Sequence, residues 1–285
     1  INLIDSEGIP LLHHVINTQN IDIITFIITN QYIDVNLCNK KNNRHILHLI
    51  VSLNNIDILQ LLLKYHDKTI NPNIIDDSDW IPICLAAFQG KDKIVSLLLK
   101  IPTIQVNPSP NMLSISPLCF ACNTKNTQCV ELLLSHKLID INQQNKNGQT
   151  ALIIASSNGF YDIVKILLQN KEVNVNIVDK SFHTALNCVT IGGYDDILTL
   201  LCNSDNNINI NYSDNYGKTP LYYAISNNHV NCVEKLIQFS ESNISKQSLD
   251  CSLIPKNGTS YIYAAVFFQS LQSLAILIDK IHQLI

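Results

Sequence analysis

The sequence carries little charge and no long apolar run. Charged residues make up 15% of the 285 residues, whereas an average protein has about a quarter. The formal net charge is −4, so the basic footprint of a nucleic-acid-binding protein is missing. No apolar segment approaches the ~18 residues of a transmembrane helix, and no signal peptide is visible at the start. We therefore predict no nucleic-acid partner and no membrane span within this chain.

Motifs of common catalytic and cofactor sites are also missing. Neither a Walker-type loop nor a G-x-G-x-x-G loop occurs. Asp76-Asp77-x-Asp79 lacks the glycine and the terminal glutamate of a calcium loop, and we interpret it as a solvated acidic turn. The nine histidines show no spacing tied to an acid or a nucleophile. We expect no catalytic residue, no cofactor and no enzymatic activity within these residues.

The cysteines do not form the pattern of a disulfide framework. There are nine of them, an odd number, and most lie inside apolar segments. This distribution is typical of free, buried thiols in a reducing compartment, here the cytoplasm or the nucleus. Cys119-x-x-Cys122, with Cys129 beyond it, lacks the second ligand pair of a zinc site. We interpret these three cysteines as core residues and predict no metal site.

What the sequence does contain is one pattern repeated along its whole length. The pattern, clearest from Asn145 onward, is a turn with glycine, a short apolar helix, a second helix of the form I-V-x-L-L-L and an extended V-N-x-x-D segment. Successive copies lie 34 to 36 residues apart, except the last, which follows after 41. A single helix pair cannot bury its faces alone, so such units stack. The aligned central positions are Leu12, Leu47, Ile83, Leu118, Leu152, Leu186, Leu221 and Ile262.

These copies resemble the ankyrin repeats, a family with a T-P-L-H-x-A signature and a period of about 33 residues. The signature is present in degraded form as PLLHHV (10–15), HILHLI (45–50), IPICLA (81–86), SPLCFA (116–121), TALIIA (150–155), TALNCV (184–189) and TPLYYA (219–224). Most copies are longer than the family's repeat, and the usual G-A-D before V-N is replaced. The resemblance implies an all-α solenoid of about eight stacked helix-turn-helix units of 34–36 residues with β-hairpin-like loops.

The pattern divides a single ankyrin-repeat domain, 1–285, into repeats. Residues 1–5 match the closing V-N-x-x-D segment, and 1–4 are assigned to the end of a preceding repeat, so we expect at least one further repeat, or a degenerate cap, upstream. The last repeat is very apolar in both helices, which suggests that something more packs on it. The predicted repeats are 5–39, 40–75, 76–110, 111–144, 145–178, 179–213, 214–254 with a long loop, and 255–285.

Local signals place the helix ends. A hydroxyl can cap the first helix at Thr150, Thr184 and Thr219. A left-handed residue ends that helix at Gly90, Gly159 and Gly193. The resemblance further implies that His13 and His48, at the histidine of the signature, form hydrogen bonds between repeats.

The resemblance also implies that a protein partner binds in a concave groove lined by the loop tips and the first helices. At these positions repeats 2 to 4 carry apolar and aromatic side chains, including the only tryptophan and the only methionine, which interfaces favour. The alternative is that these side chains fold inwards. The predicted partner-binding residues are Arg44, Leu53, Asp77, Trp80, Phe88, Gln89, Met112, Leu113 and Ile115.

Two further features qualify this prediction. The acids from Asp76 to Asp79, at the rim, favour a partner with a basic flank. Phe267 and Phe268 occupy the groove-type positions of the last repeat. They either extend the binding face or contact a downstream domain or a second copy, and packing is the preferred explanation.

The leading functional hypothesis is a monomeric scaffold or adaptor for protein–protein interaction. The alternative is a recognition or regulatory domain of a larger enzyme, such as a kinase, ubiquitin ligase or acyltransferase, or of a channel. Flanking sequence would discriminate between the two, because repeat folds carry many unrelated ligands on the same surface.

Overall fold

The computed structural model of the chain describes residues 2–30, 32–108, 116–204, 207–241, 249–250, 255–256, 258 and 260–284. These residues form sixteen α-helices and, apart from two isolated antiparallel bridges, no β structure. The all-α repeat fold expected from the sequence is confirmed. The chain divides into two compact units, Ile1–Lys146 (unit 1) and Asn147–Ile285 (unit 2).

Unit 1 contains four helix pairs. The first helix of each pair packs on the first helix of the next pair, and the second helices pack on one another in the same way. The helices are α1 (Leu11–Asn17), α2 (Ile21–Ile28), α3 (Ile46–Leu53), α4 (Ile56–His66), α5 (Pro82–Phe88), α6 (Asp92–Leu98), α7 (Pro117–Asn123) and α8 (Thr127–Leu134).

Unit 2 contains four more pairs with the same packing order. Its helices are α9 (Ala151–Ser157), α10 (Tyr161–Leu168), α11 (Ala185–Gly192), α12 (Asp195–Cys202), α13 (Pro220–Ser226), α14 (Val230–Glu241), α15 (Tyr261–Phe267) and α16 (Leu271–Leu284).

The first helices begin and end where the local sequence signals predict. At the start of α9, the Thr150 hydroxyl accepts a hydrogen bond from the amide of Ile153, which satisfies one of the helix's free N–H groups. Thr184 and Thr219 cap α11 and α13 in the same way. Each first helix is followed by a residue with positive φ, which includes the predicted glycines Gly90, Gly159 and Gly193.

Burial follows the position of each helix in the stack. In α5, all residues from Pro82 to Ala87 are buried, because neighbouring first helices cover it on two sides. In α4, Ile58, Leu59 and Leu62 are buried while Asp57 faces solvent. The second helices are therefore amphipathic, with one stripe in the core and one in water.

The asparagine of V-N joins consecutive repeats. The Asn36 side chain donates from Nδ2 to the carbonyl of Thr69 (2.8 Å) and accepts at Oδ1 from the amide of Asn71 (2.7 Å). One side chain thus fixes the position of a backbone segment in the next repeat. We call such residues bridging asparagines. The same pair of bonds is made by Asn2, Asn73, Asn107 and Asn176.

Candidate protein-binding surfaces

A buried acidic side chain closes the turn tip that precedes a first helix. Asp76 Oδ1 accepts hydrogen bonds from the amides of Ser78 (2.9 Å) and Trp80 (3.0 Å), and the Asp76 amide donates to the Trp80 carbonyl (2.9 Å). These bonds fix the backbone of Trp80, two residues before α5, and do not involve its side chain. Another residue type at this position could form the same backbone bonds. The same closure is made by Asp5, Asp179 and Asp214.

The signature histidines tie one repeat to the next tip, as predicted. His48 Nε2 donates to the Trp80 carbonyl (2.9 Å), and His13 Nε2 donates to the Arg44 carbonyl (3.0 Å). His48 Nδ1 accepts from the amide of His45 (3.1 Å), so both ring nitrogens are used only in the neutral form. Burial lowers the pKa of His13 and His48, which keeps both rings neutral.

Three aromatic rings meet at the first helices of repeats 3 and 4, and we call them the aromatic cluster. The Trp80 ring stacks on the Phe120 ring, with centroids 4.5 Å apart at 25°. Phe88 meets Trp80 at 5.3 Å and Phe120 edge-on at 5.9 Å. Phe88 is 42% exposed, and the other two rings are half-buried. The rings therefore pack on one another and still present an aromatic edge to solvent.

Sequence reasoning did not identify Phe120 as part of this surface. It lies in α7, at the fourth residue of the first helix, a position outside the loop tips and helix ends that were considered. The contact with Trp80 joins residues forty apart and exists because α5 and α7 pack side by side. An alignment of the repeats places an aromatic residue at this position in repeats 4 and 7, as Phe120 and Tyr223. This pattern in the sequence could have identified Phe120.

The remaining predicted residues of this surface differ in exposure. Asp77 and Gln89 are exposed, and Leu53 is half-buried at the end of α3. Arg44 is also half-buried, and its Nε lies 3.2 Å from Asp76 Oδ2. The predicted residues Met112, Leu113 and Ile115 lie outside the described residues.

The interpretation of Asp76–Asp79 as a solvated acidic turn is wrong for Asp76. That side chain is 2% exposed and is occupied by two backbone amides and Arg44. The reason is its place at the first position of the tip, where the carboxylate faces the turn. Asp77 and Asp79 are exposed and carry the negative charge of this rim.

Unit 2 has a second cluster, in which Lys218 occupies the repeat position of Trp80 and Tyr223 that of Phe120. The Lys218 ammonium lies 5.9, 5.5 and 5.6 Å from the ring centroids of Tyr216, Tyr222 and Tyr223. The Tyr223 hydroxyl donates to Asp214 Oδ2 (2.5 Å). We call Lys218 and these three rings the tyrosine–lysine cluster. Burial, together with the bond to Asp214, raises the pKa of Tyr223 and keeps its hydroxyl protonated.

Phe267 and Phe268 are exposed at the end of α15. Phe267 is 63% exposed, stacks on Tyr263 with centroids 6.1 Å apart and meets Phe268 edge-on at 5.0 Å. Val266 and Leu271 beside them are also exposed. Among the described residues, nothing covers this apolar face.

Disulfide formation, thiolate chemistry or metal binding would each require a suitable arrangement of the described cysteines, or of clusters of His, Cys, Asp and Glu side chains. None of the eight described cysteines forms a disulfide, and six of them are buried. Burial raises the pKa of Cys119 to about 11, which disfavours the reactive thiolate. Within the described ranges, no group of three or more His, Cys, Asp or Glu side chains is arranged to hold a metal ion. No helix in that part of the chain is long and apolar enough to cross a membrane.

Helix pairs stacked in this order define a helical-repeat protein. The chain belongs to the ankyrin-repeat family, because the family model for "Ankyrin repeats (3 copies)" matches residues 11–109, 83–179 and 171–250. Ankyrin repeats are generally protein–protein interaction modules.

Two solved structures show the same fold. The ankyrin repeat domain of Bcl-3, a member of the IkappaB protein family, matches with a TM-score of 0.67 and 21% identity, over 81% of this chain and 96% of that one. The ankyrin repeat protein EF0377 matches with a TM-score of 0.62 and 27% identity, over 68% of this chain and 97% of that one. No curated protein sequence shows significant similarity to this chain.

Proposed function

We propose that this chain is a scaffold or adaptor that binds a protein partner through the aromatic cluster of unit 1. The observation that carries the proposal is the Trp80–Phe88–Phe120 packing, in which Phe88 remains 42% exposed. Aromatic side chains that are already packed lose little conformational entropy on binding, and they dominate the energy of protein interfaces.

The residues around the cluster suggest the chemistry of the partner. Asp77 and Asp79 are exposed beside it, and Arg44 is held by the buried Asp76. A partner that places an apolar side chain against the rings and a basic residue against the two carboxylates fits this surface. Leu53 and Gln89 lie at the ends of neighbouring first helices and extend the proposed contact.

The absence of disulfides among the described cysteines supports a reducing compartment. Disulfides persist in oxidising compartments, and none of the eight described cysteines forms one. The cytoplasm or the nucleus therefore suits this protein. The net charge of −4 favours protein over nucleic acid as the partner.

A double substitution tests the binding surface. Trp80→Ala with Phe88→Ala should weaken partner binding at least about tenfold, or ~1.4 kcal/mol, while the helical circular dichroism is retained. Partners are captured from cell extract with the wild-type chain and measured by isothermal titration calorimetry. Phe26→Ala is the matched control, because Phe26 is 78% exposed on α2, away from the cluster.

The single tryptophan provides a second readout. Trp80 is the only tryptophan in the chain, so its fluorescence reports on the cluster alone. Binding of a tryptophan-free partner fragment should shift its emission to shorter wavelength and protect it from iodide quenching. Unchanged affinity in the double variant, together with unchanged quenching of Trp80, would show that the partner binds elsewhere.

A further inference from the structure

The turn tips of unit 2 present lysines without acidic neighbours. Lys180 and Lys256 are exposed, and Lys218 is half-buried. Within the described part of unit 2, no carboxylate lies within 4 Å of any of these three ammonium groups, although Lys235 pairs with Asp195 on the second helices. The tips therefore carry positive charge that no described side chain neutralises.

The acids of the same tips are used by the backbone. Asp179 Oδ1 accepts from the amides of Ser181 and His183, each at 2.8 Å. Asp214 Oδ1 accepts from the amides of Tyr216 (2.8 Å) and Lys218 (2.9 Å), and its side chain is 1% exposed. The other oxygen of Asp214, Oδ2, accepts from the Tyr223 hydroxyl, so both oxygens of this carboxylate are occupied by groups other than the Lys218 ammonium.

A change in the last tip explains why Lys218 has no acidic partner. In unit 1, Arg44 occupies the equivalent position and pairs with Asp76, the first residue of the next tip. The residue equivalent to Asp76 in the tip after Lys218 is Pro255, which has no charge. The Lys256 amide donates to the Tyr216 carbonyl (2.8 Å), so this last tip lies directly beside the tyrosine–lysine cluster.

The tyrosines hold the Lys218 ammonium in place without satisfying its hydrogen-bond donors. Ring centroids at 5.5 to 5.9 Å attract the cation but accept no strong N–H bond. An anion that meets a cation already held in position loses less entropy and gains charge-assisted hydrogen bonds. Tyr216 beside the ammonium is 68% exposed, and Phe182 at the preceding tip is 40% exposed, so both tips offer apolar surface to a ligand.

We propose that the tips of unit 2, centred on Lys218 and flanked by Lys180 and Lys256, bind an acidic segment of a protein partner that alternates carboxylates with apolar residues. The carboxylates contact the lysines, and the apolar residues pack on Tyr216 and Phe182. This deepens the proposed protein-binding function but does not depend on the aromatic cluster of unit 1.

A peptide selection tests the proposal without knowledge of the natural partner. A random twelve-residue phage library is selected on the full chain and, in parallel, on the Trp80→Ala/Phe88→Ala variant. Peptides rich in Asp and Glu should be enriched on both. Loss of the acidic peptides only in the double variant would assign them to unit 1, and a selection without acidic peptides would overturn the proposal.

Binding of one enriched acidic peptide is then measured by fluorescence anisotropy. Lys218→Gln should weaken it at least about tenfold, Lys218→Arg should retain most of the affinity, and added salt should reduce it. The matched control is Lys165→Gln, since Lys165 is an exposed lysine on α10 of the same unit. Equal affinity of Lys218→Gln and Lys165→Gln would overturn the proposal.

A parallel measurement with a nucleic acid tests whether the surface prefers acidic peptides or binds any polyanion. A single-stranded oligonucleotide of twenty thymidines serves as the probe under the same conditions. With net charge −4, the chain should bind it at least tenfold more weakly than the acidic peptide. Equal or tighter binding of the oligonucleotide, lost in Lys218→Gln, would show a nucleic-acid surface and overturn the proposal.

Discussion

In unit 1, Trp80 stacks on Phe120, forty residues further along the chain; in unit 2, His183 meets Tyr223 edge-on across the same sequence separation. Both contacts join the residue two positions before one first helix to the fourth residue of the next first helix. In unit 1 the result is an aromatic surface beside exposed acids. In unit 2, Tyr223 also belongs to the tyrosine–lysine cluster, so the surface there carries a half-buried lysine among tyrosines.

The difference shows which positions build the stack and which define the binding surface. Asp76 and Asp214 close their tips with the same backbone hydrogen bonds, and both are buried. Trp80 and Lys218 donate the same backbone bond to these carboxylates, and their side chains differ in charge and shape without disturbing that closure. Surface chemistry can therefore change from repeat to repeat while the packing is preserved.

Acid should destabilise unit 1 far more than unit 2. Burial lowers the pKa of His13 and His48, and that of His45 to about 3, whereas a histidine of the unfolded chain titrates near 6.5. The unfolded state thus binds more protons as pH falls below about 6.5. His45 alone then costs up to about 1.4 kcal/mol of stability per pH unit below 6.5, and His13 and His48 act in the same direction.

Hydrogen exchange at pH 7.5 and 5.0, corrected for intrinsic rates, measures this difference. Protection should fall in α1 and α3 and persist in α9 and α11. The equivalent pair in unit 2, Thr184 and Asn187, forms the same capping box without a titrating group. His45→Thr with His48→Asn should therefore flatten the pH dependence of unit 1. Equal losses in both units at pH 5.0 would contradict the prediction.

Removal of a bridging asparagine should destabilise both units to the same extent. Asn36→Ala and Asn176→Ala each delete two hydrogen bonds to the next repeat. Because a typical intramolecular hydrogen bond contributes about 0.5–1.5 kcal/mol, each change should cost ~1–3 kcal/mol in urea unfolding. Asn36→Asp keeps the acceptor and should cost less.

An exposed asparagine that forms no bridge is the control for these variants. Asn215→Ala, at the tip of repeat 7, should change stability by no more than about 0.5 kcal/mol. A large effect in one unit and none in the other would show that the two stacks are held together differently. The two clusters could then no longer be compared as different side chains on the same backbone arrangement.

Local features of the fold were predictable from the sequence because they depend on neighbours along the chain. The Thr150 cap and the left-handed Gly159 follow from the chemistry of a helix end, and the structure has both. The repeat spacing predicted the helix pairs for the same reason. The role of His48 followed from the family resemblance, which already contains information on packing between repeats.

Contacts between repeats were harder to predict. The Trp80–Phe120 stack joins two helices whose proximity is a result of folding. The bridging asparagines were visible as V-N, but they bind backbone groups, which leave no mark in the sequence. Asp76 was interpreted as solvated because its residue type favours water, whereas the tip geometry buries it.

The smallest expected effect concerns the left-handed residues that end the first helices. Gln19 in unit 1 and Gln269 in unit 2 have φ of 53° and 56°, where a side chain costs energy and glycine does not. Gln19→Gly and Gln269→Gly should each stabilise the chain by about 0.5–1 kcal/mol in urea unfolding, after the entropy of the added glycine is subtracted. Gln→Ala at the same sites keeps the strain and should be nearly neutral. Stabilisation in only one unit would mean that the helix ends, and not only the surface side chains, differ between the two.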